Sequence, residues 1–479
     1  MSVKYQHPQY VAMAPKWKRC RDAAAGQDAV HAAGTEYLPR LSDQNDDDYK
    51  AYVMRTPFFN ATWRTLEGMK GMLFRKPPTI TVPATAEPLM DDVTRAGVPL
   101  VVFAQNVAEE ALTVGRVGIF VDYPVTDPNA TRADVIAQKL QPSMAMYVAE
   151  SIINWRMRKV DNEYRLTLLV LVEEHADAKD EYEDVIEVRY RVLDLENVTG
   201  DYRVREFRIV KDKDGNERDE QIGVDQYPML GGSTLKRIPF WVLGVDDLSP
   251  DCDAPPLIDV VDMNLSHYRT SADYEHGCHF TGCPTPVVSG YTPVDGANGA
   301  PPEKLYIGSR TAWVFPDPGA TATYLEFTGQ GLSALEKNLE RKEGQMAILG
   351  ARLLEVQKRA AEAAETAGIH RAGENSVLSS MSQTLSLGMK RALALFCQWA
   401  DAAGEVVFDL NRDFFPVPMD PANLLALTNA LQTGSISFET YFAQLQAGEV
   451  VSATRTADEE KAAIAANPPA AKTEPAATV

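Results

Sequence analysis

The sequence predicts an α+β chain built of several cooperating domains, and three patterns carry that expectation. Two long stretches, one after Pro255-Pro256 and one near Gly331, space apolar residues by three and four, the period of a helix with one dry face. Between 147 and 245 the period falls to two, as strands require. A segment dense in Pro and Gly, CPTPVVSGYTPVDGANGAPP, separates the two long helices. With 479 residues, 45% of them hydrophobic, the chain has apolar material for two or three domains.

The first third mixes helix and strand. An acidic run (Asp43, Asp46, Asp47, Asp48) precedes the aromatic-rich RTPFFNATWRTLEGMKGMLF, which Pro77 and Pro78 break. In PLVVFAQNVAEEALTVGRVGIFVDYP, the apolar positions Val102, Val107, Ala111 and Leu112 suit a helix ended by Gly115, and VGIFVD reads as a buried strand. A phosphate-binding unit runs strand, Gly-rich turn, helix, so this reversed order reads as packing.

In the strand region, Val185, Glu187, Arg189 and Arg191 alternate with Ile186, Val188, Tyr190 and Val192, which predicts one dry and one wet face. Asp214-Gly215 marks a hairpin turn. KRIPFWVLG closes the region.

The first long helix places Leu257, Val261, Leu265, Tyr268 and Ala272 on one face and is expected to end near Gly277. A short strand, PVVSG, and two or three more in LYIGSRTAWVFPDPGATATYLEF follow. In the second long helix, Ser333 and Glu336 have capping-box spacing, and Leu332, Leu335, Leu339, Met346, Leu349 and Leu353 form a seam broken only by Lys342. Glu336, Glu340 and Glu343 lie beside Lys337 and Arg341, charges through which neighbouring copies would meet. Gly368, Gly373 and Asn375 are expected to interrupt helicity, with helix resuming from Val377 to about Ala403. Two short helices joined at Thr433-Gly434-Ser435 come next, and residues 466–479, rich in Pro and Ala, are expected to be disordered.

The charge balance narrows function. Lys and Arg number 47 against 67 Asp and Glu, a formal net charge of −20, which weighs against gripping nucleic acid by neutralising phosphates. A basic cluster at Lys16, Lys18, Arg19 and Arg21 reads as a solvated face. The five cysteines (Cys20, Cys252, Cys278, Cys283, Cys397) are scattered, as in a protein assembled in a reducing cytoplasm. No apolar run approaches the ~20 residues of a membrane span, and MSVKYQHPQY lacks an apolar signal region.

The order helix, compact insert, helix, loop, long helix resembles the subunits of tailed-bacteriophage portal (head-to-tail connector) proteins. PLIDVVDMNLSHYRTSADYEHGCHFTGCPTPVVSG and ATYLEFTGQGLSALEKNLERKEGQMAILGARLL are similar to a portal stem helix, clip insert and returning stem helix. YLPRLSDQNDDDYKAYVMRTPFFNATWRTLEGMKGMLFRKPP and LTVGRVGIFVDYP also resemble one branch of portals, so the likeness spans roughly residues 35 to 450.

The resemblance implies a wing from 1–253, stem helices at 254–276 and 328–350, a clip at 277–327, a channel loop and long wing helix at 351–412, a helical crown at 413–465 and a tail at 466–479. It implies a non-enzymatic ring of about twelve copies at one capsid vertex, formed in the host cytoplasm and carried in the virion. Double-stranded DNA would pass through without sequence-specific contacts. The terminase large subunit, a tail or adaptor protein, and the major capsid and scaffolding proteins would be its partners, with no cofactor and no membrane. Glu336, Glu340 and Glu343, with Lys358, Arg359 and Glu362 near the following loop, are the expected channel-lining or gating residues. Leu332, Leu335, Leu339 and Met346 are the expected stem-packing residues.

Two other readings have a basis in the residues. A metal-dependent hydrolase would draw on His276, Cys278, His279 and Cys283 or on acidic pairs such as Asp246 and Asp247. The histidine and cysteine spacing lacks the paired elements of structural zinc sites, however, and the run reads as a packed helix end. GMKGMLFRK does not meet the phosphate-loop order, and neither G-x-S-x-G nor H-E-x-x-H occurs. A capsid or adaptor subunit is the remaining alternative, disfavoured because a shell subunit needs broad lateral surfaces rather than paired long helices.

Overall fold

A computed structural model describes residues 2–124, 137–138, 140–160, 162–196, 199–282, 285–290, 313, 315, 318–325, 329–351, 364–412, 414, 419, 421–452 and 455–466. They divide into two compact units, Met1–Leu410 and Asn411–Val479. Helix and strand are mixed throughout the first.

That unit opens with α1 (Pro8–Ala25), α2 (Gln27–Ala33), α3 (Asp46–Arg55) and α4 (Ala61–Leu73). Side-chain caps set the starts: Asn45 accepts from the amides of Asp47 and Asp48, and Asn60 from that of Trp63. The acidic run therefore occupies the first turn of α3, where the helix dipole favours negative charge. The basic cluster of α1 is largely paired. Lys18 bridges Asp22 and Glu36, Arg19 meets Asp262, and Arg21 lies between Glu110 and Glu150.

The strands follow as β1 (Thr79–Thr81), β2 (Val117–Asp122), β3 (Ser143–Val148), β4 (Ile152–Val160), β5 (Glu163–Ala178), β6 (Asp184–Leu195), β7 (Tyr202–Lys211), β8 (Glu217–Gln226), β9 (Met229–Leu230), β10 (Ser233–Thr234) and β11 (Phe240–Leu243). Helix α5 (Leu100–Val114) ends at Gly115 in the left-handed conformation (φ 76°) and delivers the chain into the buried strand β2, as the sequence predicts. β11 returns to β2 to give the order β11-β2-β3, with Gly118 of β2 leaving room for the Phe240 ring. Strands β4 to β8 form an antiparallel meander in sequence order, and Gly215 (φ 82°) turns β7 into β8.

The expected division of β6 into one dry and one wet face does not hold. At its C-terminal end Val192 and Leu193, on opposite faces, are both buried, whereas Ile186 and Val188 are 62% and 45% exposed. The β5–β6 hairpin runs past the body, and no described element covers its far end.

The rest of the unit comprises α6 (Ile258–Gly282), β12 (Thr285–Ser289), β13 (Thr321–Leu325), α7 (Leu332–Met346), a π-helical turn (Ala347–Ala351), α8 (Ala364–Trp399) and β14 (Val407–Asp409). Leu378, Met381, Leu385, Met389, Leu393 and Phe396 give α8 a buried stripe, packed on β2, β11 and β14. β14 pairs with β1, setting Phe408 against Ile80.

Three local expectations are corrected. α6 continues past Gly277 to Gly282, because the tight packing of Leu332 against Gly277 holds that turn in the helix pair. The capping box does not form: α7 starts behind Gly331, and Ser333 Oγ donates back to the Gln330 carbonyl (3.4 Å). Residues 368–375 do not interrupt helicity and lie inside α8. A glycine costs a helix only about 1 kcal/mol relative to Ala, and no proline occurs in α8.

The second unit holds α9 (Pro421–Gln432) and α10 (Phe438–Ala447), joined through Gly434 (φ 70°) as expected, with Ser437 capping the Thr440 amide. A further helix, α11 (Ala457–Ala466), was not anticipated; Lys461 ties it to Glu439 of α10. Of the segment expected to be disordered, 467–479 lies outside the described residues.

Candidate functional site

The α6–α7 pair is the most distinctive construction in the fold. α6 is 25 residues long, about 37 Å at 1.5 Å per residue. Its first part is rooted in the body, where Val260, Val261, Asn264, Leu265, Tyr268 and Ala272 are buried. From Asp273 onward its side chains are exposed or half-exposed. α7 packs against it, and the chain between them includes the antiparallel ribbon β12–β13, with Thr285 opposite Leu325 and Ser289 opposite Thr321. Only Met346, at the end of α7, returns to full burial. The pair therefore leaves the body on α6, carries a β hairpin and comes back on α7.

Polar contacts fix the root. Asn264 is fully buried and satisfied on both sides of its amide: Oδ1 accepts from the Thr62 amide (3.1 Å) and hydroxyl (3.0 Å), and Nδ2 donates to the Phe59 carbonyl (2.7 Å). Tyr52 donates to Asp273 (3.0 Å). Where α7 re-enters, a Cβ on Gly350 would lie 2.7 Å from Val260 Cγ2 and 2.9 Å from Thr65 Cγ2, so the π turn passes α6 and α4 on a hydrogen atom's clearance.

Between the helices, Lys342 donates to the Ser266 carbonyl (2.8 Å) and to Thr270 Oγ1 (2.5 Å). Desolvation, reinforced by Arg269 and Arg341, lowers its pKa. The residue that broke the apolar seam is thus a cross-helix tie. Nothing in the helical period marked it. The one available signal was a basic residue at a position the seam assigned to the interior.

The expected stem-packing residues are distributed along the same face. Leu332 sits against Gly277, Leu335 and Leu339 are half-buried, and Met346 is buried. Of the expected channel residues, Glu336 and Glu340 are exposed on α7. Glu343 is exposed as well, with its carboxylate 3.4 Å from His267 Nε2. Lys358, Arg359 and Glu362 lie outside the described residues.

The other candidate chemistry is dispersed. His276 packs edge-on against Tyr52 and Phe280, Cys278 is a free thiol, and Cys283 lies outside the described residues. Among the described residues no group of three His, Cys, Asp or Glu is placed to hold a metal ion, and no helix is long and apolar enough to cross a membrane.

Residues 256–400, less than half of the chain, match a family model described as "Domain of unknown function (DUF4055)". The matched segment begins with α6 and ends with α8, so it frames the helix pair and its insert. No curated protein matches the chain. Among solved structures, the chain is similar to a chain of "Virion of native gene transfer agent (GTA) particle", at 13% identity over 92% of this chain and 99% of that one, TM-score 0.36. It is also similar to one of "Neck of native GTA particle computed with C12 symmetry", at 12% identity over 88% and 98%, TM-score 0.36. At TM-scores this low the likeness decides nothing about fold or function.

Proposed function

We propose that this chain is the repeating subunit of a phage-type portal ring, a non-enzymatic conduit for double-stranded DNA. The observation that carries the reading is the α6–α7 pair: rooted at Asn264 and Met346, joined through a β hairpin and otherwise exposed along most of α7. It has the order that the sequence shares with portal stems and clips. Ile348 and Leu349, in the π turn, are 64% and 47% exposed, apolar surface that an isolated subunit leaves in water. Identical neighbours around a closed ring supply a repeated heterologous contact to cover such surface.

In this reading about twelve copies sit at one capsid vertex. The hairpin end docks the terminase large subunit during packaging and a tail or adaptor protein afterwards, and capsid and scaffolding proteins surround the ring. Glu336 and Glu340 face the DNA path, where carboxylates hold phosphates off rather than capturing them. The segment with Lys358, Arg359 and Glu362 gates the path.

Negative-stain microscopy and mass photometry of purified protein test this. Rings with a central hole and a mass of about twelve 52.7 kDa chains are expected. Ile348→Glu with Leu349→Glu should yield folded monomers. A wild-type chain that stays monomeric across micromolar concentrations, alone and with scaffolding protein, would sink the proposal.

A further inference from the structure

Outside the helix pair, one surface breaks the acidic character of the molecule. Beside strands β4 and β5, a cavity of about 740 Å³ is lined by Arg156, Arg158, Lys159, Arg165, Arg205 and Lys236. We propose that it is a binding site for clustered phosphate groups, as in a polyphosphate or a stretch of nucleic-acid backbone.

Three features point there. First, Arg156, Arg158 and Lys159 are exposed on β4, an edge strand, and none of them forms an ion pair among the described residues. The chain has 67 carboxylate side chains for 47 cations, so three neighbouring cations without a carboxylate partner stand out. Further across the same sheet the pattern is the ordinary one: Arg189, Arg191, Arg203 and Arg208 each meet at least one carboxylate.

Second, the strand register sets Arg158 directly opposite Arg165. Like charges directly across an antiparallel pair are destabilising, so the folded chain carries a local repulsion that an anion between them would relieve. Glu163 takes up part of the Arg165 charge (2.8 Å), and among the described residues no carboxylate does so for Arg158.

Third, the acids that reach the cavity are already engaged. Asp194 accepts from Arg203 (2.7 Å) and Arg205 (2.9 Å), and Glu196 accepts from the Thr199 hydroxyl (2.8 Å). Arg205 keeps its buried Nε without a hydrogen-bond partner. Guanidinium groups present planar paired donors that match phosphate oxygens, and four of the six cations here are arginines. A peptide carboxylate offers single charges spaced along a chain; six cations around one cavity, of which Arg165, Arg205 and Lys236 each have a carboxylate partner and Arg156, Arg158 and Lys159 have none, suit charges packed closer than that.

Full-length protein tests the site with two probes, inorganic tripolyphosphate followed by calorimetry and a labelled duplex DNA of about 15 base pairs followed by anisotropy. Saturable tripolyphosphate binding that DNA does not displace assigns a compact polyphosphate, and mutual competition assigns the nucleic-acid backbone. Arg156→Ala with Arg158→Ala should weaken either at least tenfold and flatten its salt dependence, whereas Arg189→Ala should leave it unchanged. Arg158→Thr alone should also raise the melting temperature, since it removes the repulsion with Arg165. The proposal is overturned if neither probe binds wild type, if the double variant binds as well as wild type, or if a poly-glutamate peptide binds as tightly as tripolyphosphate.

Discussion

His267 on α6 and Glu343 on α7 face one another at 3.4 Å across the helix pair, the histidine 5% exposed and the glutamate on the rim. His267 Nδ1 is buried without a hydrogen-bond partner, so the ring has one polar contact and is otherwise dry, tilted against Phe59. Burial lowers the pKa of His267 from its ordinary 6.5, and the attraction of Glu343 only partly offsets that.

The folded pair therefore favours the neutral ring, and below about pH 6.5 the unfolded chain binds the extra proton. This contribution is fully present above that pH and is lost as pH falls through the depressed folded value. Thermal melts from pH 8 to pH 5 should show wild type losing stability faster on acidification than His267→Gln. Parallel pH profiles would remove His267 as the cause.

Gly350→Ala should destabilise the unit by about 1–3 kcal/mol, because the new methyl meets Val260 and Thr65 on elements that are themselves fixed. Gly277→Ala should cost less, since its obstacle is the far end of the Leu332 side chain, which can turn away. Urea titration of both variants checks the order, and Val260→Ala should recover part of the Gly350→Ala loss.

Replacing Asn264 with Ala strands the Thr62 amide at a buried helix crossing and removes one of two donors to the Phe59 carbonyl, which keeps the Ala61 amide (2.9 Å). A loss of about 1–3 kcal/mol is expected in chemical denaturation. Asn264→Asp should fare no better, because a carboxylate cannot donate to Phe59.

Arg116 is fully buried, lies over the Trp155 ring at 4.0 Å and donates to the carbonyls of Ile152 (3.2 Å) and Pro250 (2.9 Å). Desolvation pushes its pKa down to about 10. Arg116→Ala should cost about 3 kcal/mol or more, combining a cavity with two stranded acceptors, and should shift Trp155 emission to the red. An unchanged spectrum and stability would contradict the packing described.

The sequence was legible wherever the signal was local. Gly115 ended α5 and Gly215 turned a hairpin because each needed only its own backbone conformation. It misled where a tertiary neighbour decided the outcome. Lys342 looked like a flaw in a seam until Ser266 and Thr270 were seen to accept from it. Ile186 and Val188 alternate as core residues do, but whether a face is dry depends on what lies above it, and alternation does not encode that. For the candidate site, the helix–insert–helix order was readable. The approach of Glu343 to His267 and the Arg158–Arg165 apposition were not, since both depend on the register between separate segments.

The pairing of β1 with β14 joins residues 79–81 to residues 407–409. While the chain is being made, β1 must wait for some 330 further residues, about 20–60 s at ordinary rates of synthesis. Until then Ile80 has no strand beside it, and Phe408, 2% exposed when folded, has not been added. The first unit is closed by β14, the last strand among the described residues, so a ribosome that stalls short of residue 407 releases a chain whose β1 is an unpaired strand rather than a smaller version of the fold.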